Sequence, residues 1–407
     1  MTASRESSTN TLAPRTATTS TARRCGLRAG ATLLTVLAIV GSVGCSNAAE
    51  AAVVAPQTLY VSPTGTDLNN GLTTSRPFKT IQHALDVARP GTTIALGPGT
   101  YRESVDTKVD GTAQAPITIR GTGAGAGYAG TPAVTVYGTG HVFDILNSYY
   151  KLDGFAVNGE EGLVGKAFPT MMSQATAFKD ANQAAIVDSR PIYVSSPVPA
   201  GAITNVSIAN MTISGSGGEC VRMRNTSYST ITNSTINFCG LAAKQTDGAY
   251  LYHNGEGIYI GTSPKAGQPV DDSSFNVMTG NKINTFGSEC LGVKENAHDN
   301  TFSNNDCGFN IEPTSYYGSN IELRGHHNTV DNNRILHSMG YGVKLKSDTA
   351  ELGQGYNTVT RNTFGDQRGF SFRNEQVTLG SVCGNQFPVG ATWYGATVSA
   401  TTAPCTF

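Results

Sequence analysis

The sequence is poor in charge, and the charge it has is nearly balanced. Of 407 residues, 14% are Asp, Glu, Lys or Arg, with 28 basic against 29 acidic side chains. A nucleic-acid partner calls for a clear basic excess, so this balance argues against one. Long apolar runs are scarce as well. The one from Ala29 to Gly44 is shorter than the run of about 20 residues that a membrane-spanning helix needs, so no stable membrane span is expected. Arg23, Arg24 and Arg28 precede it and small residues around Ala48 to Ala52 follow, so residues 1–52 read as a signal segment for export. The paired arginines hint at twin-arginine export, and Ser42-Val43-Gly44-Cys45 makes a poor lipobox. Taking five Arg and two Glu of this segment from the totals leaves 23 basic and 27 acidic residues, a net charge of about −4 on the remainder. Patterns for nucleotide, haem, zinc or nucleophilic-serine chemistry are missing.

Glycine is plentiful, at 47 residues, and with many Asn, Thr and Ser it suits an all-β extracellular protein with many turns rather than a helix-rich one. The segment Ser288-Glu289-Cys290-Leu291-Gly292-Val293-Lys294 recurs as a template. It stacks with lines beginning at Glu219, Glu256, Ser319 and Tyr341, at spacings of 37, 33, 30 and 22 residues. Apolar residues alternate with outward ones in each line, the period of a half-buried strand. A repeat of this length with variable loops is that of a solenoid, with parallel strands about 4.8 Å apart. In that register Arg224, Gly261, Lys294, Arg324 and Lys346 form one outward rank, and Glu219, Glu256 and Glu289 form another. The expected fold is all-β, a single-stranded right-handed parallel β-helix over residues 53–407.

Read in order, Leu59 to Ser62 is a strand. Phe78 to Ala88 has helical apolar spacing and ends at Arg89-Pro90-Gly91, giving an N-terminal capping helix within an N-cap of about 59–92. Strands are expected at Thr93 to Leu96, Ile117 to Arg120, Val134 to Tyr137 and Tyr150 to Val157. This opening resembles the amino-terminal part of many secreted right-handed parallel β-helix proteins. Residues of about 160–200 break the rhythm as a helical insertion, Ala167 to Ile186, either walling a groove or packing outside. From Asn205 on, Asn pairs five residues apart (205/210, 276/281, 300/305, 328/333, 357/362) suit stacked turns bonded by side-chain amides. Outside the export segment six cysteines remain. Cys220 and Cys290 would lie about 9.6 Å apart, too far to bridge, so pairs close in sequence are expected: 220 with 239, 290 with 307, 383 with 405.

Three glutamates in one rank raise one another's pKa unless something compensates. Calcium held by Glu256 and Glu289, with Glu219 and Asn254 behind them, would do so; a corner ladder in which hydrogen bonds separate the charges would too. Arg324 beside Lys294 is expected to lower the lysine pKa, which suits a general base, against the alternative of a solvated basic stripe.

Ser288-Glu289, Lys294, Asn300-Thr301-Phe302 and Leu323-Arg324-Gly325-His326-His327-Asn328-Thr329-Val330 resemble the active-site coils of polysaccharide lyase family six, calcium-dependent alginate lyases and chondroitinase-B-like enzymes. Gly292-Val293-Lys294 before Asn300-Thr301-Phe302 is also similar to the base-bearing coil of family nine pectate lyases. The resemblance implies Lys294 as base, Arg324 as proton donor or leaving-group stabiliser, and Glu289 as calcium ligand. Gly287 departs from it, where a second glutamate would stand, and so does Glu256, where asparagine would. In such a reaction Arg222, Arg224, Lys344 and Lys346 would hold flanking carboxylates. Tyr259 would assist the leaving oxygen, and Tyr250, Tyr252, Tyr316 and Tyr317 could stack on sugars. The partner implied is an anionic polysaccharide met by a secreted monomer. Competing readings are a glycoside hydrolase using Asp271-Asp272, a uronan epimerase, and a non-catalytic glycan-binding or structural β-helix.

Overall fold

The computed structural model describes residues 55–121, 134–196, 201–242, 255–265, 267–311, 318–347, 355–394 and 402–406. Residues 1–52, expected to serve export, Asn254 and the four loop tyrosines Tyr250, Tyr252, Tyr316 and Tyr317 lie outside the described residues. Within them the alternating segments become short strands, and the strand pairings are parallel. They form three long sheets of eleven, ten and nine strands. Each coil contributes a strand to each sheet in turn, the arrangement of a right-handed parallel β-helix.

The core follows from the period of two. Val221, Ile258, Leu291, Ile321, Val343 and Phe372 are successive partners across the ten-strand sheet. Each is at most 1% exposed. A continuous apolar column of this kind is the main stabilising term of a solenoid, since each coil buries its inner residues only against its neighbours.

At the amino end, α1 (Ile81–Asp86) is shorter than the apolar spacing suggests, because polar partners fix its start. Thr80 caps it by accepting from the His83 N–H, and Glu103 receives the N–H groups of Ile81 and Gln82. Ile81, Ala84 and Leu85 are buried and belong to the solenoid core. The expected strand Tyr150 to Val157 is two strands in different sheets, Tyr150–Asp153 and Ala156–Asn158, with Gly154 turning the corner at φ 77°.

The insertion is shorter than expected, because Arg190–Ser195 is already a strand of the ten-strand sheet, between His141–Ile145 and Val221–Arg224. Its helix α2 (Ala175–Asn182) packs outside a corner carrying an aromatic column. Phe168 stacks on Phe238 at 3.8 Å, and Phe286 and Phe309 continue the column. Buried Lys179 donates to the Gly240 carbonyl at 2.7 Å. Burial alone pushes its amine down to about 7.

Two buried asparagine ladders run through the turns. Asn276, Asn300, Asn328 and Asn357 form one, and Asn281, Asn305, Asn333, Asn362 and Asn385 the other, each amide bonding the next at 2.9 to 3.2 Å. Asn205 and Asn210 stand outside these ladders. They sit one residue early, at φ 59° and 55°, and Val206 and Met211 occupy the ladder positions. Asparagine tolerates the left-handed conformation as readily as it builds a ladder, so its spacing alone does not separate the two. Disulfides join Cys220 to Cys239, Cys290 to Cys307 and Cys383 to Cys405, the expected pairs. Among the described residues no helix is long and apolar enough to cross a membrane.

Candidate functional site on the ten-strand face

The outer face of the ten-strand sheet gathers the candidate residues in three ranks. The middle rank is set by strand register: Tyr193, Arg222, Tyr259, Gly292, Glu322, Lys344 and Arg373 are successive partners. Backbone hydrogen bonds carry the register one residue past the next inward position, so that Gly261, Lys294, Arg324 and Lys346 follow one another in a second rank after Arg224. On the opposite side, the Cys220 N–H bonds to the Glu256 carbonyl and the Gly257 N–H to that of Glu289, which aligns Glu219, Glu256 and Glu289. Lys294 and Arg324 therefore share one face on adjacent strands, as the template implies.

The carboxylate rank is not uniform. Glu219 is engaged by two arginines, Arg190 Nε at 2.5 Å and Arg222 at 3.3 Å. Glu289 accepts from Ser288 and, at 3.5 Å, from Ser319. Glu256, between them, is buried with Oε2 lacking any partner. Burial first, then the Glu219 and Glu289 charges, pushes its carboxyl up to about 8, against the pull of Lys294. A proton on Glu256 thus relieves the crowding, and two disulfides anchor the coils on either side of it, at the residues following Glu219 and Glu289. Among the described residues no three His, Cys, Asp or Glu side chains are grouped to hold a metal.

The cation rank departs from expectation. Burial and the Arg324 charge favour a neutral Lys294 amine, but Tyr259, Glu256 and Glu322 outweigh them and hold it above the usual lysine value. Arg324 does lower it, as expected, but the net direction is upward, because three partners of opposite tendency surround the amine where the sequence shows one like charge. Lys294 Nζ lies 4.6 Å from the centre of the Tyr259 ring, and the Arg222 guanidinium covers the same ring at 3.5 Å.

Glu322 organises the other half. It pairs with both Arg324 and Lys344. Burial would push its carboxyl up, but Lys344, Arg324 and Lys294 outweigh that and hold it well below the usual range. Lys344, expected to bind substrate, is 3% exposed and ion-paired with Glu322 within the rank, so it is not open to a ligand. Lys346 stays partly exposed beside Arg324. Arg324 is also reached by Glu295, whose Oε1 lies 3.4 Å away. Neither Glu322 nor Glu295 is among the residues expected from the sequence. The signal for Glu322 was its outward position between Gly292 and Lys344; Glu295 has none, lying just past its strand.

Gly292 carries no side chain in the middle rank, and its neighbours close over it: a Cβ would meet Glu256 at 3.3 Å and Tyr259 at 3.7 Å. Towards the amino end the face deepens into a cavity of about 230 Å³ containing Arg190, Tyr193, Glu219, Arg222 and Tyr259. A larger one of about 330 Å³ contains Arg222 and Arg224. The acidic pair Asp271-Asp272 is split. Asp271 is buried and accepts from Asn225 and Ser273, whereas Asp272 is exposed and bonds His298. Two carboxyls so divided do not flank one bond.

These features define a parallel β-helix protein with a charged outer face. Residues 63–378 match the family described as "Protein of unknown function (DUF1565)", and the chain belongs to that family. The Bacillus subtilis (strain 168) protein YwoF, itself described as uncharacterized, is 50% identical over 62 residues, which is 15% of this chain and 13% of that protein. Among solved structures, an alginate lyase from Paenibacillus sp. str. FPU-7 superposes with a TM-score of 0.60 at 21% identity, covering 84% of this chain and 98% of its own. A rhamnogalacturonan lyase gives 0.54 at 14%, covering 86% and 87%. Likeness at these identities establishes the fold.

Proposed function

We propose that the protein is an exported polysaccharide lyase that cleaves a uronic-acid-containing polymer, such as alginate or pectate, by β-elimination. The observation that carries this reading is the placement of Lys294 and Arg324 on adjacent strands of one face, on the side of the sheet that also carries Arg222 and Arg224. The lyase names of the two superposed structures agree with it.

In this reaction Lys294, in its neutral form, takes the C5 proton. The C–H electron pair becomes the C4–C5 double bond as the C4–O4 bond breaks, and O4 departs with its charge met by Arg324 or by a proton from Tyr259. In this reading Arg222, Arg224 and Lys346 hold flanking carboxylates, and one chain carries every group named. Calcium belongs to the proposal with Glu256 and Glu289 as its protein ligands, the unpartnered Oε2 of Glu256 being the open donor. Bound there, it would supply positive charge for the substrate carboxylate.

The test is the ultraviolet absorbance of the unsaturated product with alginate, pectate, glucuronan and dermatan. We expect absorbance with at least one polymer and a loss of about 10²–10⁴-fold in Lys294→Ala; silence across all four contradicts the reading. Chelation before the assay tests calcium separately. The upward direction of the Lys294 pKa supports a second reading, a non-catalytic module binding anionic glycans, which predicts retention on such polymers with no product.

A further inference from the structure

The cavity of about 330 Å³ near the amino end of the face is bounded by the loop after Gly261, and Tyr193, Arg222, Arg224, Lys265, Gln268 and Asp271 line it. Asp271 is 4% exposed. Its Oδ1 is saturated by the Asn225 N–H at 3.0 Å, the Ser273 N–H at 3.2 Å and the Ser273 hydroxyl at 2.7 Å. Its Oδ2 has no partner, and neither has Nε of Arg224. Buried polar atoms nearly always find partners, and leaving one without costs about 1–3 kcal/mol. Here an acceptor and a cationic donor, both unanswered and not paired with each other, line one cavity. The adjoining cavity of about 230 Å³ differs, since its carboxylate, Glu219, is held by Arg190 and Arg222.

We infer that this cavity is a subsite for one uronate unit, with Arg224 receiving the carboxylate and Asp271 Oδ2 accepting a ring hydroxyl. The chemistry selects that ligand. A bare anion would be repelled by Asp271, and a cation by Arg222, Arg224 and Lys265; a hydroxy acid answers both orphaned groups at once. Arg224 stands two strands before Lys294, about 9.6 Å along the axis, so the subsite reads a unit remote from the bond that breaks. The inference rests on the lyase reading only for the path of the polymer across this face. It makes the protein selective for chains that carry a free carboxylate and a free hydroxyl at that unit, and intolerant of esterification there.

The experiment is calorimetric titration of the Lys294→Ala protein, which cannot turn substrate over, with hexamers of mannuronate, guluronate and galacturonate as free acids and as methyl esters. At least one acid hexamer is expected to bind. Its affinity should fall about tenfold or more when Asp271→Asn or Arg224→Gln is added, the loss of one hydrogen bond to a charged group. Esterification should weaken binding less in Arg224→Gln than in the parent, the difference being the factor that Arg224→Gln costs the acid hexamer, a comparison that does not depend on how well the Asp271 variant folds. Failure of every acid hexamer to bind, or equal affinity in parent and Asp271→Asn, overturns the subsite. Hexamer binding that depends on Asp271, in a protein that yields no unsaturated product, would retain the subsite while refuting the lyase.

Discussion

The charge on Lys294 is set by residues from the coils on either side of it. Its rank beside Arg324 follows from counting alternate residues. The direction of its titration depends on Tyr259, Glu256 and Glu322, which arrive from other coils. Because its folded pKa is raised, the ammonium form persists into alkaline solution, and the neutral base gains about tenfold per pH unit. We therefore expect kcat/KM to rise log-linearly with pH up to the alkaline limit of stability, and Glu322→Gln to move that limb to lower pH. A plateau at neutral pH in the wild-type profile would contradict this.

Glu256 titrates in the opposite sense to an ordinary paired carboxylate. Its folded pKa of about 8 exceeds the model-compound value of 4.5, so its contribution is fully present below about pH 4.5 and is lost as pH rises through about 8. Glu256→Gln should gain thermal stability relative to wild type at pH 9 and show no such gain at pH 4, as read from melting curves. Glu322 behaves conversely, with a lowered pKa that contributes above the unfolded value and is lost on acidification. Removing it takes from buried Lys344 its ion pair with Glu322, and urea unfolding should read this as a loss of stability.

Among the elements, strands and turns were legible to different degrees. The template lines fall in the register their alternation implies, because an inward-facing apolar column admits one phase. The turn asparagines were legible only from Asn276 onward. Asn304 and Asn305 show why. Asn305 bridges coils with donors to Met278, Ser303 and Asn333 at 2.9 to 3.0 Å, while its neighbour Asn304 sits exposed at φ 56°. Asn305→Ala should cost about 1–3 kcal/mol for each buried group orphaned, and Asn304→Gly, which eases a left-handed φ but gives up exposed hydrogen bonds to Thr279 and from Asn332, should cost less, both measured by chemical unfolding. The pairing of Cys220 with Cys239, 19 residues apart, closes a loop whose removal is expected to cost about 3 kcal/mol.

At the scale of the molecule, repetition made the solenoid readable and insertion obscured it. A coil that repeats its apolar phase announces its sheets. The segment after Asn158 carries no such phase, and its end is hidden because Arg190–Ser195 rejoins the sheet with only six residues. Placement of Lys294 and Arg324 needed the repeat alone; Glu322, Glu295 and Asp271 needed neighbours from other coils. The central claim, elimination across this face, is tested most directly by mass spectrometry of the products from a defined uronate oligomer. The account predicts two fragments whose masses sum to that of the substrate, one ending in an unsaturated unit. Fragments heavier by one water would make the protein a hydrolase, and an uncut chain would make it an epimerase or a binding module.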